Sequence, residues 1–220
     1  MLRIIFVRHG RTPWNVQGRV QGGGALDDVG RAQAAALGER LRGEPLEAIY
    51  ASPALRARQT AQAVARRHHL PVRQRSLLRD LDYGRFAGSL LADVSKERPG
   101  LVEQWRDHPH TVHFEGGERL ADLRARIRRF IFDVGLAHPD GTVLASTHDS
   151  PVRTAVCLAM GLDDAEHNRA DLKTPLGSVT VLEVRGDEWT IGLHNDVGHL
   201  EPAASGLPTE AGRLRRPDAP

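Results

Sequence analysis

The chain has 220 residues, 40% hydrophobic and 26% charged, with 30 basic and 28 acidic side chains and a formal charge of +2; this is the composition of one ordinary globular domain. Near-balanced charge excludes the clustered basic footprint of a nucleic-acid binder, and a lone Cys157 excludes an internal disulfide or a cysteine-rich zinc site. With no charged leader before an apolar segment and no run of membrane-spanning length, the expectation is a cytoplasmic protein without a membrane partner.

Leu2, Ile4, Ile5, Phe6 and Val7 form a near-continuous apolar run of strand length, the pattern of a strand buried on both faces of a sheet. Arg8, His9 and Gly10, the last read as a turn former, follow where the chain leaves that sheet. Ligands of parallel sheets collect beyond the carboxyl ends of the strands. Gly18 and Gly22-Gly23-Gly24 lack the lysine and Ser/Thr spacing of a nucleotide-cradling loop and read as flexible loop. Over 28–42, Ala34, Leu37 and Leu41 at helical spacing predict a helix capped by Asp27 or Asp28 and closed by Gly43.

A second strand is predicted over 48–51. Ser52-Pro53 then opens a helix with Ala54, Ala57, Ala61 and Val64 on one narrow stripe and Arg56 in the first turn. Residues 72–75 suggest an edge strand and 77–84 a loop. Over 88–117 the pattern is mixed, with a helix expected before Trp105. His108, His110 and His113 have a spacing that can bind zinc, but no carboxylates stand at ligand distance, so an exposed loop or lid is expected and no metal.

Leu120, Leu123, Ile127, Ile131 and Val134 predict a long helix over 118–138, with Arg124, Arg126, Arg128 and Arg129 mostly on a solvated face. A buried strand over 142–147 leads to His148. Val152, Ala155, Val156, Ala159 and Met160 make the next helix amphipathic, and it ends at Gly161. Strands over 178–184 and 189–194 flank Gly186-Asp187 as an antiparallel edge hairpin. The domain is therefore expected over 1–200, and the Pro, Ala, Gly and Arg of 201–220 predict a disordered tail.

Arg8 and His9, Arg56, and His148 each stand at or after the end of a separate predicted strand, and crossover helices make those strands parallel. Four basic groups thus share one rim, which is costly without an anion because like charges repel where water is partly excluded. A phosphoryl group relieves that cost. The composition makes arginine the natural partner, since only Lys96 and Lys173 are lysine and the guanidinium fork suits phosphate.

Arg8-His9-Gly10 with Thr12 and Asn15, Ser52-Pro53 with Arg56-Ala57 and Gln59-Thr60-Ala61, 78–84, Gly116-Gly117-Glu118, His148, and Asn195-Asp196 with His199-Leu200 occur in this order. In these motifs the chain resembles the histidine phosphatase superfamily, also called phosphoglycerate mutase-like. The resemblance implies a three-layer α/β sandwich: a mostly parallel central sheet with helices on both faces and an antiparallel edge hairpin. It implies a phosphohistidine mechanism on a small phosphorylated metabolite, with no cofactor. Neutral His9 attacks phosphorus, its other ring nitrogen held by a backbone carbonyl. Arg8, Arg56 and a charged His148 lower its pKa and hold the phosphoryl oxygens. Thr12, Asn15, Gln21, Gly22 and Asp149 complete the substrate pocket.

The family's general acid lies four residues before the glycine of a Glu-x-x-x-Gly segment. That position is Asp80, before Gly84, a departure from glutamate; Asp82 and Asp149 are competitors. Two further departures, Phe86-Ala87-Gly88 and Gly24-Ala25-Leu26, bear on substrate choice. A phosphomonoesterase is favoured over a phosphoglycerate mutase, because the short 84–118 segment offers only Lys96, Arg98 and a lone Arg106 followed by Asp107. A catalytically weak phosphate-binding regulatory module is a third reading. Self-association into a homodimer is left open.

Overall fold

The computed structural model describes residues 1–21 and 23–200; the expected tail over 201–220 and Gly22 lie outside them. β1 (Leu2–Arg8) runs at the heart of a six-stranded sheet, with Ile4, Ile5, Phe6 and Val7 fully buried. A short helix, α1 (Pro13–Gln17), and a longer one, α2 (Asp28–Arg40), lead to β2 (Leu46–Ala51), α3 (Leu55–His68) and β3 (Val72–Gln74). The segment that follows carries α4 (Leu91–Glu97) and α5 (Leu101–Asp107), and α5 contains Trp105 where the sequence places the helix before it. Then come α6 (Leu120–Ala137), β4 (Thr142–Thr147), α7 (Asp149–Met160), β5 (Val179–Arg185) and β6 (Glu188–Asp196).

The strand order is β3-β2-β4-β1-β5-β6. β1, β2, β3 and β4 are mutually parallel, and the β5–β6 hairpin adds two antiparallel strands beside β1. Period-two alternation along β1 decides the layers. Ile4 and Phe6 join the core under α6 and α7, where Phe130, Ile127 and Val152 meet them. Ile5 and Val7 face the opposite core, with Leu37 of α2 and Val64 of α3.

Register sets the rim. Arg8 lies beside Thr147 of β4, and Ala51 of β2 beside Ser146. The His9 amide donates to the Thr147 carbonyl at 3.0 Å and the Ser52 amide to that of Ser146 at 2.9 Å. His9, Ser52 and His148 therefore leave the sheet at the same level.

Helix ends differ in detail from expectation. Asp27 caps α2, accepting from the Gly30 amide at 2.8 Å, but α2 stops at Arg40 with Leu41 at its cap, short of Gly43. α3 starts at Leu55 with Ala54 at its cap. Ser52 accepts from the Ala54 amide at 3.3 Å and is not itself the cap residue. Gly161 closes α7 at φ 69°, as the left-handed position requires.

Gly10 is absent from the positive-φ positions, so a turn is not what calls for glycine there. A Cβ on Gly10 would lie 2.5 Å from the Gly30 carbonyl oxygen, and one on Gly30 2.0 Å from that of Arg11. The loop after β1 thus lies backbone to backbone on α2, an approach only paired glycines allow. Gly30→Ala is expected to lower stability by ~2–4 kcal/mol through this overlap. Gly43→Ala, with nothing within 4 Å, should be near neutral. Equal denaturant midpoints for the two variants would contradict the close-approach account.

Candidate active site

His9 follows β1, sits 3% exposed, and is gripped at both ring nitrogens. Nδ1 lies 2.8 Å from the Gly10 carbonyl oxygen, and Nε2 lies 3.0 Å from Nε of Arg56. A guanidinium only donates and a carbonyl only accepts. Nδ1 must therefore carry the proton and Nε2 the lone pair. Burial, then Arg56 and Arg8, hold the His9 pKa well below its ordinary value.

Arg56, the second residue of α3, is 5% exposed and spans two imidazoles. Its Nη2 lies 2.9 Å from Nδ1 of His148, whose Nε2 lies 2.8 Å from the Ser52 hydroxyl oxygen. The same donor argument makes His148 an acceptor at Nδ1 and a donor to Ser52. His148 is neutral here: burial and then Arg56 depress its pKa well below the usual value. This corrects the expectation of a charged His148. The cations that lower the His9 pKa are Arg56 and Arg8.

Arg8 closes β1 and donates through Nη1 to the Thr174 carbonyl, while its buried Nε has no hydrogen-bond partner. Thr60, one turn along α3 from Arg56, accepts from the Gly10 amide at 3.1 Å and donates to the Arg56 carbonyl at 2.9 Å. That bridge ties the loop carrying His9 to the helix carrying Arg56. Gln59 fixes the neighbouring loop by accepting from the Leu26 amide at 2.8 Å.

Of the three carboxyl candidates, Asp80 reaches the cluster. Its Oδ2 is 3.8 Å from Nη2 of Arg56 and 3.9 Å from Nδ1 of His148. Burial pushes the carboxyl up to about 6 against the opposing pull of Arg56. Asp82 is exposed and accepts from the Gly84 amide at 2.9 Å. Asp149 meets Arg153 at 2.7 Å and accepts from the Thr174 amide at 3.1 Å. Burial would raise the Asp149 pKa, but Arg8 and Arg153 overcome it and hold the group below the usual carboxylate range.

The remaining pocket residues are committed to local bonds. Thr12 caps α1, accepting from the Asn15 amide at 3.3 Å, and Asn15 Oδ1 accepts from the Thr12 amide at 3.0 Å. Gln21, at φ 51°, donates to the Leu81 carbonyl at 3.1 Å and so supports the loop that carries Asp80. Gly22 lies outside the described residues.

A hollow of about 220 Å³ is lined by Gln21, Tyr83, Phe86, Trp105 and Phe114 among others, with none of the clustered residues in its wall. Tyr83 meets Phe114 and Trp105 with ring centroids 4.8 and 6.0 Å apart. A larger hollow of about 980 Å³ opens near Leu2, at the other end of β1, so size alone does not mark the site.

Sequence reasoning missed several contributors. Ser52 is legible as a helix start and part of a family motif but not as the partner of His148, and no local signal marks Thr174 or Gly30. Arg126, assigned to a solvated face, is 12% exposed and bonded on every side, and Arg124 donates to the Leu162 carbonyl at 2.8 Å. Arg128 and Arg129 are exposed as expected.

Comparison with known proteins follows the same lines. The sequence profile of the histidine phosphatase superfamily (branch 1) matches residues 4–197. Phosphoserine phosphatase 1 of Hydrogenobacter thermophilus is 34% identical over 165 residues, covering 74% of this chain and 78% of that one. A glucosyl-3-phosphoglycerate phosphatase of Mycobacterium tuberculosis is 33% identical over 196 residues, 86% of this chain and 83% of that one. The solved structure of Bacillus stearothermophilus YhfR superposes with a TM-score of 0.87 at 29% identity, over 91% of this chain and all of that one. A profile that runs from β1 through β6, together with a fold shared end to end with YhfR, shows that this chain belongs to the histidine phosphatase superfamily, branch 1.

Proposed function

We propose that this protein is a phosphomonoesterase that hydrolyses a small phosphorylated metabolite through a phosphohistidine on His9. The observation that carries the reading is the bond pattern of His9, which leaves an imidazole lone pair on Nε2 beside two guanidinium groups and a carboxyl with a raised pKa. The two phosphatase relatives support the substrate class.

Binding of a phosphate dianion gives Arg56 a better acceptor than an imidazole, because charge-assisted hydrogen bonds to phosphate are about twice as strong as neutral ones. Arg56 then turns its donors to the anion and frees Nε2 of His9. Arg8 contributes its unpartnered Nε. His148 takes up a proton as the anion arrives and donates to an oxygen through Nδ1.

His9 Nε2 forms the bond to phosphorus as the ester P–O bond breaks. The Asp80 carboxyl gives its proton to the departing alkoxide, releasing an alcohol and leaving a carboxylate. Water then attacks phospho-His9, Asp80 takes back a proton, and inorganic phosphate departs. In-line transfer leaves charge on the equatorial oxygens, where the fixed donors lie.

The mutase alternative needs a grip for a second anionic group, and of the four cations within 84–118 only Arg98 is not paired with an acid among the described residues. Within 84–118, Arg106 is held by Asp107 at 2.8 Å and Lys96 lies 4.0 Å from Asp93. Arg85 is shared between Glu97 and Glu115. These cations point to exposed acids.

Three outcomes follow. His9→Ala should lose essentially all turnover, and rapid quench of the wild type with labelled substrate should trap an acid-labile, base-stable phosphoenzyme; label on another residue would contradict the assignment. With an alkyl ester, kcat/KM should fall as pH rises past about 6, where Asp80 gives up the proton it must donate, and Asp80→Asn should remove that limb. A rate that rises steadily into alkali would count against it. Inorganic phosphate at a hundred times its Kd should stabilise the fold by about 2.7 kcal/mol, and thermal denaturation of Arg56→Ala should show little of this shift.

A further inference from the structure

Asp80 stands in a segment, 79–83, with no regular secondary structure. Its own hydrogen bond is local, accepting from the Leu81 amide at 3.0 Å. The contacts to Arg56 and His148, at 3.8 and 3.9 Å, are longer than hydrogen bonds. The direction of this carboxyl therefore depends on the backbone beneath it.

Gln21 holds one carbonyl of that backbone, at Leu81, and a single side chain from a distant helix holds three more. Arg126 of α6 donates through Nη1 to the carbonyls of Leu77 at 2.8 Å and Arg79 at 2.6 Å. Through Nη2 it donates to the Asp80 carbonyl at 2.8 Å. Its remaining donors go to Glu118, Nε and Nη2 each 2.9 Å from a carboxylate oxygen. All five N–H groups of the guanidinium are thus used. Glu118 in turn accepts from the Asp82 amide at 3.0 Å, and its own amide donates to the Asp82 carbonyl at 2.8 Å. Carbonyls that a loop would otherwise expose or leave unpaired converge on one largely covered cation neutralised by one carboxylate. Only a planar fork meets that many acceptors at fixed angles, so lysine is no substitute.

We infer that Arg126, buttressed by Glu118, is a positioning residue for the phosphatase reaction: it fixes the 77–82 backbone so that the Asp80 carboxyl reaches the leaving oxygen. This rests on the reading of Asp80 as general acid. Arg126 is hydrogen-bonded to neither His9 nor Arg56; its charge adds a last, small contribution to the lowered His148 pKa, and its bonds bear on the site through Asp80. A misplaced acid lowers kcat/KM, which reports transfer to His9, for a poor leaving group and spares it for a good one, whereas damage to the fold lowers both alike.

The test compares Arg126→Met, Arg126→Lys, Glu118→Gln and Asp80→Asn on two substrates: 4-nitrophenyl phosphate, and the alkyl monoester that the wild type hydrolyses fastest. Asp80→Asn should lose about 10²–10³-fold on the alkyl ester and under tenfold on the aryl ester. Both Arg126 variants should lose at least tenfold more on the alkyl than on the aryl ester, with the Kd for inorganic phosphate within about twofold of wild type. Glu118→Gln, which keeps the shape of the partly buried partner, should show the same selectivity to a smaller degree and serves if an Arg126 variant does not fold. Equal losses on both esters in the Arg126 and Glu118 variants, beside a selective loss in Asp80→Asn, would overturn the positioning role alone. A non-selective Asp80→Asn would overturn the acid assignment and the inference together.

Discussion

One guanidinium organises the site. Arg56 lies between two imidazoles, donating to Nε2 of His9 and to Nδ1 of His148, and through those bonds it fixes the tautomer of both rings. The chain continues outward to the Gly10 carbonyl on one side and the Ser52 hydroxyl on the other. A buried cation beside a second cation, Arg8, makes a charged histidine expensive. Both rings are therefore neutral before an anion binds, and neutrality of His9 is what a nitrogen nucleophile needs.

The fold supplies this arrangement by register and by close approach. Parallel pairing of β1, β4 and β2 brings His9, His148 and Ser52 to one level. Contact between the backbones of Gly10 and Gly30 lets the loop after β1 sit low on α2, and Thr60 ties that loop to α3. Asp80 comes from a segment without a ladder of its own and depends on side chains for its place. Rigid elements carry Arg8, Arg56 and His148, and Asp80 is mounted on a braced loop.

Much of this was legible in the sequence because it follows from local pattern. The apolar run before Arg8 and the one before His148 each announced a buried strand followed by a basic group, and those two histidines do share a rim. The antiparallel hairpin around Gly186 was equally visible. What could not be read were relations across the chain. Gly10 passes for a turn residue until Gly30 is seen against it. Arg126 sits at an i, i+3 position from Leu123 among other arginines, and no spacing rule tells it from the exposed Arg128 or Arg129; its partners at Leu77, Arg79 and Asp80 exist only once α6 is docked. The neutral form of His148 before an anion binds is hidden from the sequence for a similar reason. Its position suggested an anion-binding cation, but the lone pair that Arg56 occupies depends on a contact between α3 and the end of β4.

Nitrogen NMR of protein labelled in the histidine rings tests the central point most directly. In the phosphate-free protein between pH 5.5 and 8, His9 should show a pyrrole-type Nδ1 and a pyridine-type Nε2 with no titration. An imidazolium spectrum for His9 in that range, or the opposite tautomer, would contradict the account.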